Sequence, residues 1–280
     1  MANPRMRAWK GFVPLAVCFA VLFGAGFLPP DTSLSQIDKA GRISVCIPQV
    51  APPMVTGQAA APGFDVDLVT EIARRAGWQL SFSRNAAMTR DINPRSWHIT
   101  RAQCQMVAGG VVLSDTTRSY MDTSEGYLQA GWALIATAGA PEISSGDQAG
   151  FLAGLSGLNR ITLGQHLRSI GVSPVVVNNV RDLRGGLDSG RFVYAITDAF
   201  TAQANFSEDK GYDLGWVPGD TERFALGFGF WKGDMTLRRH VEGLLDDIRA
   251  DGTFAMLAQK YDLDPALYCG DEAINEDGTC

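Results

Sequence analysis

Histidine is scarce in this chain: three residues in 280. His98, His166 and His240 are scattered, and none stands at metal-ligand spacing from a cysteine or a carboxylate. That leaves no sequence basis for a zinc-type site. No G-x-x-x-x-G-K run occurs, so no phosphate-cradling loop is written in the sequence. No G-x-S-x-G elbow occurs either. Gly227-Phe228-Gly229 alternates small and large residues as a packed strand does. Charge of one sign is not concentrated anywhere. With 24 basic against 30 acidic residues and a net charge of -6, nucleic acid and anionic membrane are not expected as main partners. No cofactor and no metal are expected. What is present, 46% hydrophobic and 19% charged residues, describes a globular protein.

The N-terminus carries Arg5, Arg7 and Lys10 and then an apolar run from Phe12 to Leu28. A basic segment followed by an apolar one reads as an export signal over residues 1–30. Ala25-Gly26 offers small residues for cleavage without a clean A-x-A site. The run approaches bilayer-spanning length, so an uncleaved anchor stays open. Export sets the redox context for Cys46, Cys104, Cys269 and Cys280. Four cysteines in an oxidising compartment allow two disulfides by three pairings. Cys269 and Cys280 flank an acidic tail and could close a short loop. Cys46 and Cys104 sit in or beside apolar runs. They form a second bridge if those runs are neighbouring strands, and buried free thiols otherwise.

Along the chain, strand and helix patterns alternate. Arg42 to Ile47 reads as a strand, ended by Pro48 and Pro52-Pro53. Between Gly63 and Gly77, Leu68, Ile72 and Ala76 recur at helical spacing. Asp65 and Asp67 fall in the first turn, where carboxylates can cap free N–H groups, and Gly77 stops the helix. Trp78 to Phe82 and Gln105 to Ala108 read as further strands, the latter ending at Gly109-Gly110. Trp132 to Ala136 is another strand. The small-residue stretch Gly139-Ala140-Pro141 with Ser144-Ser145-Gly146 is the expected crossing between two α/β units. Beyond it, Arg160 to Leu163 and Pro174 to Val177 look β-like, and Phe192 to Thr197 reads as a strand. A helix is expected from Ala199 to near Gly211. Phe224 to Trp231 alternates as a strand. Leu237, Val241, Leu244, Leu245 and Ile248 form a helical stripe, interrupted at Gly252 and continued by Phe254, Leu257 and Ala258. The alternation points to parallel α/β sheets.

Four segments, in order and spacing, resemble the family-3 extracellular solute-binding proteins that serve amino-acid transporters. The first is Gly63 to Gly77. The second runs from Val107 to Ala136 and holds Ala108-Gly109, Thr117-Arg118, Asp122-Thr123-Ser124 and Tyr127. The third, Ser189 to Asp198, is similar to a "G-R-hydrophobic-D-A-x-x-x-D" pattern. The fourth joins Phe230-Trp231-Lys232-Gly233-Asp234 to Ala250-Asp251-Gly252-Thr253 and Lys260-Tyr261.

The resemblance implies an α/β, type II two-lobe periplasmic binding protein fold, each lobe a mainly parallel sheet flanked by helices. Lobe 1 would take residues 41–136 and 225–264, lobe 2 residues 137–224, and 265–280 a C-terminal tail. A small polar solute, an amino acid above all, would sit between the lobes for delivery to the membrane permease of an ABC transporter, by a monomer that is not an enzyme. Arg118 would grip the ligand carboxylate with two parallel bonds. Gly109, Gly110 and Ser114 would support it, and Asp198 would pair with the ammonium. The same scaffold also serves sensory and accessory modules, such as partners of periplasmic quinoprotein dehydrogenases, and a periplasmic dehydratase for which Glu125 and Glu222 are available acids. The chain departs from the pattern in three places. Arg118 is one residue closer to Ser124 than the family arginine. Leu163-Gly164-Gln165-His166 stands for the carboxylate-capping turn of lobe 2. Val50, Pro52, Pro53 and Met54 fill a loop where an aromatic residue is expected.

Overall fold

A computed structural model describes residues 14, 17–19, 30–90, 93–152, 160–206, 211–219 and 223–263. Of the expected export segment, Pro14, Val17, Cys18 and Phe19 are described, as exposed helical residues. No helix among the described residues is long and apolar enough to cross a membrane. The expected tail, with Cys269 and Cys280, lies outside the described residues, as does Glu222.

The first sheet has the order β2-β1-β3-β11-β4, with β5 also paired to β11. Its strands are β1 (Arg42–Pro48), β2 (Gln79–Asn85), β3 (Met106–Val112), β4 (Asp122–Thr123), β5 (Leu128–Ala130) and β11 (Phe224–Phe230). The second sheet has the order β10-β6-β9-β7-β8. It is built from β6 (Trp132–Thr137), β7 (Gln148–Phe151), β8 (Ser173–Val176), β9 (Tyr194–Asp198) and β10 (Tyr212–Trp216). Each sheet contains a parallel trio, β2-β1-β3 and β8-β7-β9, completed by antiparallel strands. Helices α1 (Ser33–Ala40), α2 (Phe64–Ala76), α3 (Ala86–Arg90), α4 (Asp115–Tyr120), α8 (Met235–Ala250) and α9 (Thr253–Lys260) accompany the first sheet. Helices α5 (Arg160–Ser169), α6 (Val180–Asp188) and α7 (Ala199–Asn205) accompany the second.

The chain leaves the first sheet earlier than expected. β5 pairs with β11 in the first sheet and β6 pairs with β9 in the second, so the crossing is Gly131. A side chain there would meet Trp216, whose ring would lie 2.9 Å from an added Cβ. The return crossing runs between β10 and β11, and Val217 N donates to Trp132 O at 3.1 Å, so the two passages lie side by side. Residues 139–146 only connect β6 to β7 within the second sheet, and the strand at 132–137 belongs with it.

Two other expectations give way. Arg160 to Leu163 opens helix α5 instead of a strand. Its β-branched residues suggested extension, but Leu163 and Leu167, four apart, are both buried against the second sheet. The helix from Ala199 closes at Asn205, where extended Phe206 turns into the core, fully buried.

Helix α2 forms as its apolar spacing predicts and ends at Gly77 in the left-handed conformation, which capping of the last turn requires. Its N-cap is Gly63, without any side-chain cap. The two aspartates are therefore not caps. Asp67 accepts from Lys260 Nζ and Tyr261 Oη, both at 2.6 Å, and Asp65 points into the core. Arg75 bridges Glu71 on its own helix to Asp251 in the turn before α9, each at 2.7 Å. Phe64 is fully buried between Phe254, Tyr261 and Tyr127. The first and last motifs of the chain thus meet on one face of the first sheet.

Candidate functional site

In open α/β sheets, ligands bind beyond the carboxyl ends of parallel strands. Among the candidates from the sequence, Ser114 and Asp198 fall at such ends, one in each sheet. β3 runs through Gly109 and Gly110 and ends at Val112. Ser114 follows as the N-cap of α4, its Oγ accepting from Thr117 N at 3.2 Å. Arg118 is in the last turn of α4 and is exposed. Its backbone is fixed at both ends: its N–H donates to Ser114 O at 2.8 Å and its carbonyl accepts from Lys232 Nζ at 2.6 Å. Its guanidinium has no hydrogen-bond or ion-pair partner among the described residues. A charged fork held on a fixed backbone is what a carboxylate ligand needs.

Asp198 is the last residue of β9 and the N-cap of α7. Its Oδ1 accepts from Thr201 N at 2.9 Å, and the residue is fully buried. A buried carboxylate carries a large desolvation cost that a matching cation offsets.

Gly109 and Gly110 are committed elsewhere. Both N–H groups donate to Asp65 Oδ2, at 2.6 and 2.8 Å, and Tyr127 Oη donates to the same oxygen at 2.7 Å. Both glycines have positive φ, and a Cβ on Gly109 would lie 2.3 Å from Pro48 Cδ. The close approach of β3 to the β1 end therefore requires glycine. These donors serve the interior, and none is left over from the two N–H groups for a ligand. Asp65 is buried among them with Oδ1 unpaired. Burial pushes its carboxyl up to about 6, against the opposing pull of Tyr127 and the two glycine N–H groups. Residue reasoning missed this clamp, although the signal was present: Asp65 sits three residues before Leu68 and so shares the apolar face of α2.

Cys46 and Cys104 form a disulfide with their Cα atoms 5.5 Å apart. It joins β1 to the segment before β3, next to Met88, Trp97, Ile99 and Met121. Trp231 Nε1 donates to Cys104 O at 2.7 Å, so the "W-K-G-D" segment seals the same cluster. Lys232 and Gly233 in turn hold Asp122, at 3.1 and 2.9 Å. Leu163 to His166 lie inside α5, where a helical backbone presents no free turn, so they do not supply the carboxylate-capping turn. Glu125 is exposed.

Residues 43–264 match the family described as bacterial extracellular solute-binding proteins, family 3. The chain belongs to that family. This family-3 protein is 23% identical over 216 residues to the histidine-binding periplasmic protein of Salmonella typhimurium, covering 73% of this chain and 80% of that one. Its fold is shared with an ancestral cationic amino acid solute binding protein at a TM-score of 0.62 and 20% identity, over 82% of this chain and 99% of that one. It is also shared with an ABC uptake transporter substrate binding protein from Streptococcus pneumoniae, solved with bound histidine, at a TM-score of 0.56 and 19% identity, over 82% and 96% of the two chains.

Proposed function

We propose that this solute-binding protein captures an amino acid between two lobes, one around each sheet, and hands it to the permease of an ABC transporter from the periplasm, as a monomer without catalysis of its own. The observation that carries the reading is the placement of Arg118 and Asp198. In a chain of this family Asp198 closes β9 at the carboxyl end of its parallel trio, and Arg118 follows β3 in the last turn of α4, its guanidinium without a partner among the described residues. Arg118 takes the ligand carboxylate by two parallel bonds, and Asp198 takes the ammonium. A zwitterion with one end on each lobe then favours closure through differential contacts in the closed state. The relatives named for histidine and for cationic amino acids make basic side chains the first to try. Lobe 1 takes residues 33–130 and 224–263, and lobe 2 takes 132–217, with hinge strands crossing at Gly131 and between β10 and β11. Thermal-shift and calorimetric titration of the purified chain with the standard α-amino acids tests this. Saturable binding of at least one is expected, and no response to any of them overturns the reading.

A second reading, a sensory or accessory module, draws on one observation. The glycine N–H donors that would add to an arginine grip are turned inward to Asp65. It gains if no amino acid binds while the purified chain associates with a membrane receptor or a periplasmic dehydrogenase.

A further inference from the structure

A cavity of about 430 Å³ opens at the amino end of the first sheet, at the opposite strand ends from Ser114. Its size is within the range of small-molecule sites. The floor is apolar, formed by Ile37, Ile43 and Leu237, all buried. The walls are rich in donors. Gln105 Oε1 accepts from Ser44 N at 2.8 Å, and Gln103 Oε1 accepts from Thr100 N at 2.9 Å. A backbone N–H can only donate, so both amide oxygens are fixed and the amide nitrogens are the groups left over. Arg42 lines the cavity with no ion-pair partner among the described residues. Arg101 faces it too, bonded at 2.6 Å to Asp234, the one carboxylate of the lining. Two guanidiniums against one carboxylate leave the lining positive. The one carboxylate that could pair with an ammonium is engaged with Arg101.

The wall is also rigid. Arg101, Gln103 and Gln105 lie on the segment that the Cys46–Cys104 disulfide ties to β1, and Gln105 N donates to Ser44 O at 2.9 Å. Gln103 and Gln105 flank Cys104, so the sulfur faces the inner cluster while both amides face the cavity. A site held before its ligand arrives loses less entropy on binding.

We propose that this cavity is a second binding site, for a small 2-oxo acid. The carboxylate meets Arg42, the keto oxygen accepts from the glutamine amides, and the carbon chain rests on Ile37, Ile43 and Leu237. Two guanidiniums against one carboxylate select the keto acid over the corresponding amino acid, whose ammonium they repel.

The matched pair 2-oxoglutarate and L-glutamate tests the proposal on the full mature chain. In calorimetry at up to about 10 mM ligand, 2-oxoglutarate is expected to bind with millimolar or better affinity. Arg42→Gln should weaken it about tenfold or more, the loss of one charge-assisted pair. Ala102→Trp, which fills the cavity from its rim, should abolish it. Asp198→Asn should leave it unchanged, since that carboxylate serves the amino-acid site. Unliganded melting temperatures of the variants report folding, and Ala102→Trp stands in should Arg42→Gln fold poorly. The proposal is overturned by no binding of 2-oxoglutarate to the wild-type chain or by equal binding in Arg42→Gln and Ala102→Trp. It is overturned equally by loss of binding in Asp198→Asn, or by L-glutamate competing at this site with equal affinity. Failure of amino acids to bind at all would leave these outcomes readable, because they do not use Arg118 or Asp198.

Discussion

Around the first sheet, carboxylates reach across the sequence. Asp67 takes Lys260 and Tyr261, Asp122 takes Lys232 and Gly233, Asp234 takes Arg101, and Asp251 takes Arg75. Asp65 takes two backbone N–H groups and a phenol, and a disulfide closes the edge. Around the second sheet the carboxylates Asp188 and Asp213 take neutral donors, Tyr212 Oη and Gly139 N, and further cross-links are neutral on both sides. Tyr194 Oη donates to Pro141 O at 2.8 Å, His166 lies 2.7 Å from Pro218 O, and Trp132 packs on Phe151. The difference teaches what the family motifs do. The first, second and fourth segments mostly staple the first sheet, and the side chain of Arg118 is not among those staples.

The contrast can be broken from the strong end. The disulfide spans 58 residues, and opening it should cost about 4 kcal/mol on a chain-entropy estimate. Denaturant unfolding of Cys46→Ser/Cys104→Ser against the wild type measures this. A loss under about 1 kcal/mol would mean the first lobe does not depend on it.

The Asp65 clamp gives a pH signature. Its carboxyl titrates near 6 in the folded protein against 3.8 as the ordinary value. The folded state therefore holds the proton more tightly, and stability falls as pH rises from about 4 to about 6, by roughly 3 kcal/mol. Asp65→Asn should flatten that window in a series of melting curves. Glu71 and Asp251 act the other way: arginine partners lower Glu71 to about 2, and hydrogen bonds from Thr253 with Arg75 lower Asp251 to about 2. Their support is complete above pH about 4.5 and is lost on acidification towards 2, in the wild type and in Asp65→Asn alike. An unchanged slope between pH 4 and 6 in Asp65→Asn would remove the clamp from the account.

At the weak end stands Lys260→Met. The Lys260–Asp67 pair is half exposed on the lysine side, at 45%, and its loss should cost no more than about 1 kcal/mol by denaturant unfolding. Tyr261 still donates to Asp67, which limits the damage.

Much of the fold was legible in the residues. Leu68, Ile72 and Ala76 announce α2, and Leu237 to Ile248 announce α8, because helical spacing must match a buried face. Where the sequence reading failed, tertiary contacts decide. Ile161-Thr162-Leu163 carries β-like residues, and only the core beneath α5 selects Leu163 and Leu167 as one helical face. The crossing at Gly131 is a single glycine chosen by the Trp216 ring, and nothing local marks it. The small-residue run at 139–146 looked more like a crossing between sheets than Gly131 did. Of the site, the carboxylates were found and partly misassigned. Asp65 and Asp67 are drawn to partners 44 and 193 residues away, beyond the reach of a capping argument. Ser114 and Asp198 stand at strand ends and Arg118 in the last turn of α4, while the N–H groups of Gly109 and Gly110 face inward.

The central claim is that one ligand is held from both sides, by Arg118 on the first lobe and Asp198 on the second. Calorimetric titration of wild type, Arg118→Gln and Asp198→Asn with L-histidine and L-arginine tests it most directly. Asparagine can keep the α7 cap, so the unliganded melting temperature of Asp198→Asn should stay near wild type. The account predicts about a hundredfold or greater loss of affinity in each variant, as expected when one partner of a buried charge pair is removed. Wild-type affinity in either variant would contradict it.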